Sequence, residues 1–206
     1  MTKSAYVSHG FLLALIDDFM IERTLVLIKP EAVCRGISGR IIQTFEDAGL
    51  KIVAIKAVKP AKEIVEKHYT LDKEWYEGVW EKTKKSYDKQ GLELKETPLE
   101  LGTKIRGWLI DGIKEKPVIA MVLEGNDAIS AVRKFAGATA PSLADPSTIR
   151  GMFSTDSYGI ADSEHRIVRS IIHASDGTQT AEREIAVWFE KDEIIAYRRA
   201  EENITY

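Results

Sequence analysis

Four short runs of strand character punctuate the chain: Thr24–Ile28 (TLVLI), Lys51–Val58 (KIVAIKAV), Val118–Leu123 (VIAMVL) and Val168–His173 (VRSIIH). Between and after them, apolar residues recur at helical spacing. Ile37, Ile41, Ile42 and Phe45 share one helical face, with Gly49 as the C-terminal glycine. Ala61–Tyr69, Asp127–Phe135 (with Asn126 or Asp127 as N-cap) and a last helix from Asp176 or Thr178 to about Phe189 follow the same pattern. Such alternation excludes all-helical and all-strand folds. Reduced to its core it reads βαββαβ, the ferredoxin-like split arrangement: an α+β fold with an antiparallel sheet, a helical insert and a C-terminal extension.

The insert occupies about 72–116. It is charged, yet it holds Trp75, Trp80 and Trp108, and the spacing predicts helices over 73–88 and 99–114, joined through Gly91 and Pro98. A long loop, Gly137–Arg150, is rich in Gly, Pro, Ser, Thr and Asp, and loops of that length in compact domains tend to carry function. Residues 1–19 read as an extension that is poorly ordered or foreign to the domain, which begins at Met20 and runs as one unit over 20–206. The tail from Tyr197 shows no periodicity and reads as an interface strap or a frayed end.

Composition narrows the chemistry. The chain has 206 residues with 29 Lys and Arg against 32 Asp and Glu, a formal charge of −3, so nucleic-acid binding by bulk charge is not expected. No apolar run approaches the ~20 residues of a membrane span. Cys34 is the only cysteine, which excludes a disulfide scaffold and fits a reducing, cytoplasmic setting. The common phosphate loops GxxxxGK[ST] and GxGxxG are absent, as are CxxC and HExxH. His165 and His173 have no partner pattern that would make them a metal pair.

His173 stands out because it ends a strand and is followed by Ala-Ser-Asp-Gly, small and polar residues that expose a side chain at a sheet edge. A neutral imidazole there is a nucleophile, and Glu184 in the next helix is placed to orient it; the competing reading is a strand-end histidine bonded to backbone. A nucleophilic histidine needs an anionic substrate. Lys29 ends the first strand, Arg133 precedes the long loop and Arg150 closes it, a set of cations of the kind that stabilises a phosphoryl group in transfer.

Several segments together, TLVLIKPEAV-CRG, the His68-Tyr69 pair, VIAMVLEG, GAT-x-P at 137–141, PSTIRG at 146–151 and IIHASD followed by AEREIAVWF, resemble the nucleoside diphosphate kinase family over about 22–69 and 117–199, in the long-insert form of its archaeal-type members. The resemblance implies a ferredoxin-like core, ping-pong transfer of a γ-phosphate between nucleoside tri- and diphosphates, Mg²⁺ as cofactor, and a homo-oligomer, hexamer or tetramer. It implies that His173 is phosphorylated, that Glu184 holds its other ring nitrogen with Ser175 behind it, and that Lys29 contacts phosphate and the ribose 3′-hydroxyl. Tyr69, Arg133, Thr139 and Arg150 match phosphate contacts. No single metal-binding acid is assigned; Asp176 is the first to test.

Three departures stand against the resemblance. Ser170 occupies the place of an Asn that contacts the ribose, and its reach is shorter. The Phe that stacks on the base is missing, with Trp75, Tyr76 or Trp80 as replacements and Trp75 the first choice. The insert and a lengthened 154–166 have no assigned role: lid, oligomer contact or ornament. Ser170 and the missing aromatic motivate a second reading, a nucleotide-binding or regulatory module with weak turnover; a third, a phosphohistidine phosphatase, needs water where the second nucleotide sits.

Overall fold

The computed structural model describes residues 21–200 except 90 and 92; the expected extension at 1–19 and the last six residues lie outside that range. Four strands, β1 (Ile21–Ile28), β2 (Lys51–Val58), β3 (Val118–Asn126) and β4 (Ile172–Ala174), form one sheet in the order β2-β3-β1-β4. Every neighbouring pair is antiparallel. That order and sense are those of the split βαβ fold expected from the alternation of elements.

Nine α-helices connect the strands among the described residues: α1 (Pro30–Val33), α2 (Ser38–Asp47), α3 (Lys62–His68), α4 (Lys73–Lys89), α5 (Pro98–Ile113), α6 (Ala128–Ala136), α7 (Ile149–Phe153), α8 (Tyr158–Ser163) and α9 (Thr178–Trp188). The predicted helix pair of the insert is α4 and α5. Tyr76 of α4 packs directly on Gly102 of α5, where any side chain would collide. Thr97 and Glu100 form a capping box that starts α5 at Pro98.

Side chains of β1 alternate between two cores. Leu25 and Leu27 face Val65 of α3, Ile110 and Ile113 of α5, and Ile185 and Trp188 of α9. Val26 and Ile28 face Ile41 and Phe45 of α2, Val132 of α6, and Ile149 and Phe153 of α7. Helices on both faces explain why TLVLI is continuously apolar rather than alternating. Phe45 is wholly buried, and its replacement by Ala would cost about 3–5 kcal/mol.

Two local expectations are corrected. The fourth strand is not Val168–His173 but Ile172–Ala174, because Ile171 adopts φ 69° and breaks the pleat. Asp127 does precede α6, but at φ 47° its side chain makes no cap; the carboxylate of Glu22 on β1 accepts the Ile129 N–H instead. The segment 154–166 contains a helix, α8, capped by Ser157. The described part of the tail lies along β2: Ile195 N–H donates to Val53 O, the Tyr197 hydroxyl to Ile52 O and Arg199 to Leu50 O.

Candidate active site

β4 is an edge strand, and His173 sits on it opposite Leu27. Beside it opens a cleft of about 1150 Å³, walled by the end of β1, the α3–α4 junction, the end of α6 with the following loop, and the start of α9. Lys29, Tyr69, Trp75, Arg133, Thr139, Arg150, Ser170, His173, Asp176 and Glu184 all line it, so, leaving aside the alternative aromatics Tyr76 and Trp80, the structure brings together every sequence-derived site residue but one. The exception, Ser175, is wholly buried behind Glu184.

Glu184 Oε2 lies 2.8 Å from His173 Nε2 and accepts the Ser175 hydroxyl at 2.7 Å. A carboxylate oxygen only accepts, so Nε2 carries the ring proton and the lone pair is on Nδ1. Burial pushes Glu184 up, but the imidazole of His173, with His68 and the Ser175 hydroxyl, outweighs it and holds the carboxyl below its usual range. Glu184 is therefore ionised, as an orienting carboxylate must be.

The cations are held under tension. Burial lowers the Lys29 ammonium to about 8, with Glu31 opposing and Arg150 adding to the shift, and its Nζ donates to Ser170 Oγ at 2.8 Å. Burial and the neighbouring Arg133 lower Arg150 to about 10. Arg150 donates to the carbonyls of Gly137, Ser170 and Ile172 at 2.7–3.0 Å. Gly137 itself stands at φ 80° against Thr148, where a side chain has no room. Desolvated cations crowded in one cleft are relieved by a bound anion.

The Tyr69 hydroxyl is buried without a partner among the described residues, and burial pushes it up, with Glu184 and Glu31 adding to the effect. Such an orphaned hydroxyl lining a cationic cleft is a donor awaiting a ligand. Of the candidate aromatics, Trp75 lines the cleft, its backbone N–H donating to Asp72 Oδ1 at the start of α4. Tyr76 packs on Gly102, and Trp80 Nε1 donates to Glu96 O within the hairpin.

Sequence reasoning missed the layer behind His173. His68 packs edge-on against His173 with ring centroids 4.4 Å apart, and its Nδ1 accepts the Trp188 indole N–H. Burial, then the nearby His173, keeps His68 neutral, well below the usual histidine range. The HY pair is visible in the sequence, but only Tyr69 draws a role from it; Trp188 reads simply as a core position of α9. Tyr158 of α8 was also missed; it shares a hydrogen bond with the Thr139 side chain. Donor atoms of His68, His173 and Glu184 lie within 4.8 Å of one another, as in a His₂Glu metal site. Two of the available atoms already accept hydrogen bonds, His68 Nδ1 from Trp188 and Glu184 Oε2 from Ser175 and His173.

The sequence profile of nucleoside diphosphate kinase matches residues 22–86 and 103–194. The chain belongs to the nucleoside diphosphate kinase family. A nucleoside diphosphate kinase of Pyrobaculum aerophilum is 42% identical over 180 residues, covering 85% of this chain and 98% of the relative. That of Archaeoglobus fulgidus is 38% identical over 186 residues, covering 90% and 98%. Among solved structures, an NDP kinase from Pyrobaculum aerophilum superposes with a TM-score of 0.81 at 41% identity, covering 85% of this chain and all 100% of that one. A nucleoside-diphosphate kinase from Borrelia burgdorferi, a transition-state mimic with vanadate and ADP bound, gives a TM-score of 0.73 at 33% identity, covering 89% and 96%. The nucleoside diphosphate kinase profile runs through most of α4 and resumes in α5. Within the matched span it breaks only over 87–102, from the last residues of α4 through the first turn of α5.

Proposed function

We propose that the chain transfers the γ-phosphate of a nucleoside triphosphate to a nucleoside diphosphate through a phosphohistidine on His173. The observation that carries this is the Glu184 contact at Nε2, which leaves Nδ1 as the nucleophile. In the first half-reaction the Nδ1 lone pair bonds to the γ-phosphorus. The bond from that phosphorus to the β,γ-bridging oxygen breaks, and the diphosphate leaves with the electron pair. The positive charge gained by the imidazole is stabilised by Glu184, backed by Ser175. The second half-reaction is the reverse, with another diphosphate as acceptor.

Lys29, Arg133 and Arg150, with the Tyr69 and Thr139 hydroxyls, supply donors for the phosphate oxygens, where transition-state charge accumulates. Ser170, already bonded to Lys29, takes the sugar-side position, and Trp75 offers a stacking face to the base. The cleft suits Mg²⁺ held mainly by nucleotide phosphates: Glu184 is committed to His173, and Asp176 is an exposed carboxylate on the cleft wall. Bound there, the ion would neutralise charge on the β- and γ-oxygens.

Nothing among the described residues favours a binding module without turnover, since nucleophile, orienting carboxylate and cations share one cleft. A homo-oligomer, hexamer or tetramer, is the assembly we propose from the family, read by light scattering. Exposed Leu143, Met152 and Ile160 are side chains an interface would cover. No helix among the described residues is long and apolar enough to cross a membrane. A cytoplasmic location suits an exposed thiol at Cys34.

The test is incubation with γ-labelled ATP and Mg²⁺ without acceptor. Label stable to alkali, lost in acid, absent in His173→Ala and chased onto added GDP or CDP supports the proposal. ATP binding without label overturns it.

A further inference from the structure

Helix α3 ends inside the cleft, and that end is the unfavourable one for a phosphate. The last carbonyls of a helix have no partner within it and carry partial negative charge. Here four consecutive carbonyls are covered by two arginines. Arg106 of α5 donates Nε to Tyr69 O at 2.6 Å and Nη2 to Glu66 O at 3.0 Å. Arg183 of α9 donates Nη1 to Lys67 O at 3.2 Å and His68 O at 3.1 Å. Arg183 also approaches Glu184 Oε1 at 3.6 Å, so its loss would disturb the orienting carboxylate directly. Arg106 has no such contact. Its two bonds go to backbone at the foot of Tyr69, a cleft-lining residue whose hydroxyl is buried and unpartnered among the described residues.

We infer that Arg106 is a positioning residue for Tyr69, through which the α4–α5 hairpin sets the place of the Tyr69 hydroxyl against the substrate phosphates. The planar fork of a guanidinium bonds both carbonyls of a helix end at once, whereas a lysine is a single point charge. The hairpin has contacts of its own that do not involve Arg106: Tyr76 on Gly102, Trp80 Nε1 on Glu96 O and the Thr97–Glu100 box. The hairpin therefore holds the backbone of a cleft-lining residue on the neighbouring element.

The inference rests on the proposed phosphotransfer. The experiment compares wild type, Arg106→Met, Arg106→Lys, Tyr69→Phe and the Arg106→Met/Tyr69→Phe double variant. It reads the KM for ATP and the maximal rate of phosphohistidine formation. Arg106→Met is expected to raise KM about tenfold and to change the maximal rate less than about threefold. Arg106→Lys should recover only part of the loss. On the Tyr69→Phe background the Met change should add less than about twofold, because its effect passes through the missing hydroxyl. Multiplicative losses in the double variant, an unchanged KM in Arg106→Met, or full recovery by lysine would overturn the inference. If Arg106→Met loses its circular-dichroism signal, the same cycle is run with Arg106→Lys and read the same way. Absence of label in wild type would instead overturn the phosphohistidine reading itself.

Discussion

Arg150 straddles Ile171. Its Nε donates to the carbonyl before that residue and its Nη2 to the carbonyl after it, each at 3.0 Å, while Ile171 itself stands at φ 69°. Lys29 N–H takes the Ile171 carbonyl, and Glu31 accepts its N–H. A β-branched residue in the left-handed region costs on the order of 1–3 kcal/mol and persists only where its surroundings impose it. The bend it makes directly precedes β4 and so sets how His173 enters the site.

Replacing Arg150 by Lys keeps a cation near the phosphates but cannot bond three carbonyls. We expect stability to fall by about 2–4 kcal/mol in urea titration, together with slower phosphohistidine formation. A variant as stable as wild type would show that the guanidinium is not what holds the bend.

Glu184→Gln keeps the size of the side chain and removes its charge. The phosphorylation rate of His173 should drop roughly 10²- to 10⁴-fold at saturating ATP, as for loss of a general orienting group. Ser175→Ala, which only strips one hydrogen bond from that carboxylate, should cost about tenfold. Stopped-flow single-turnover labelling measures both, and equal losses would place Ser175 in a larger role than support.

Lys29 makes the pH dependence testable. With its ammonium at about 8, kcat/KM should fall as pH rises through that value, because the free enzyme loses a phosphate-binding charge. Stability runs the other way: between about 8 and 10.5 the unfolded chain retains a proton the folded one has released, so unfolding free energy rises with pH across that window. Ser170→Ala removes the hydroxyl that accepts from Lys29 and should move the alkaline limb of the rate profile to lower pH. An alkaline limb that stays in place would exclude Lys29 as its origin.

The alternation of strands with amphipathic helices was enough to read the sheet, its antiparallel sense and even the hairpin α4–α5, because each is written in local periodicity. The candidate site residues were legible where a strand end or the boundary of a loop carries them, as for His173, Lys29 and Arg150, which stands in the first turn of α7. The missed elements depend on contacts remote in sequence. The shortening of β4 comes from Arg150 and Glu31 bonding the backbone around Ile171. The tie of His68 to Trp188 joins α3 to α9 across 120 positions. No local pattern announces either, and a tryptophan at a core spacing gives no sign that its N–H has a specific acceptor.

Trp75 supplies a fourth test. Trp75→Ala should raise KM about tenfold or more, and by a similar factor for ATP, GTP and CTP, since every base offers a π-face to an aromatic platform. An unchanged KM for all three would move base recognition to another wall of the cleft.

The bond between Lys29 and Ser170 spans 141 positions, and the pairing of β1 with β4 beside it closes a loop of similar length. β4 is the shortest strand, lies at the sheet edge and has only three ladder positions to β1, so it is the strand least held by the sheet, and it carries His173. Hydrogen exchange should accordingly show the amides of Ile172–Ala174 opening well below the global unfolding free energy, so that the enzyme loses its chemistry before it loses its fold.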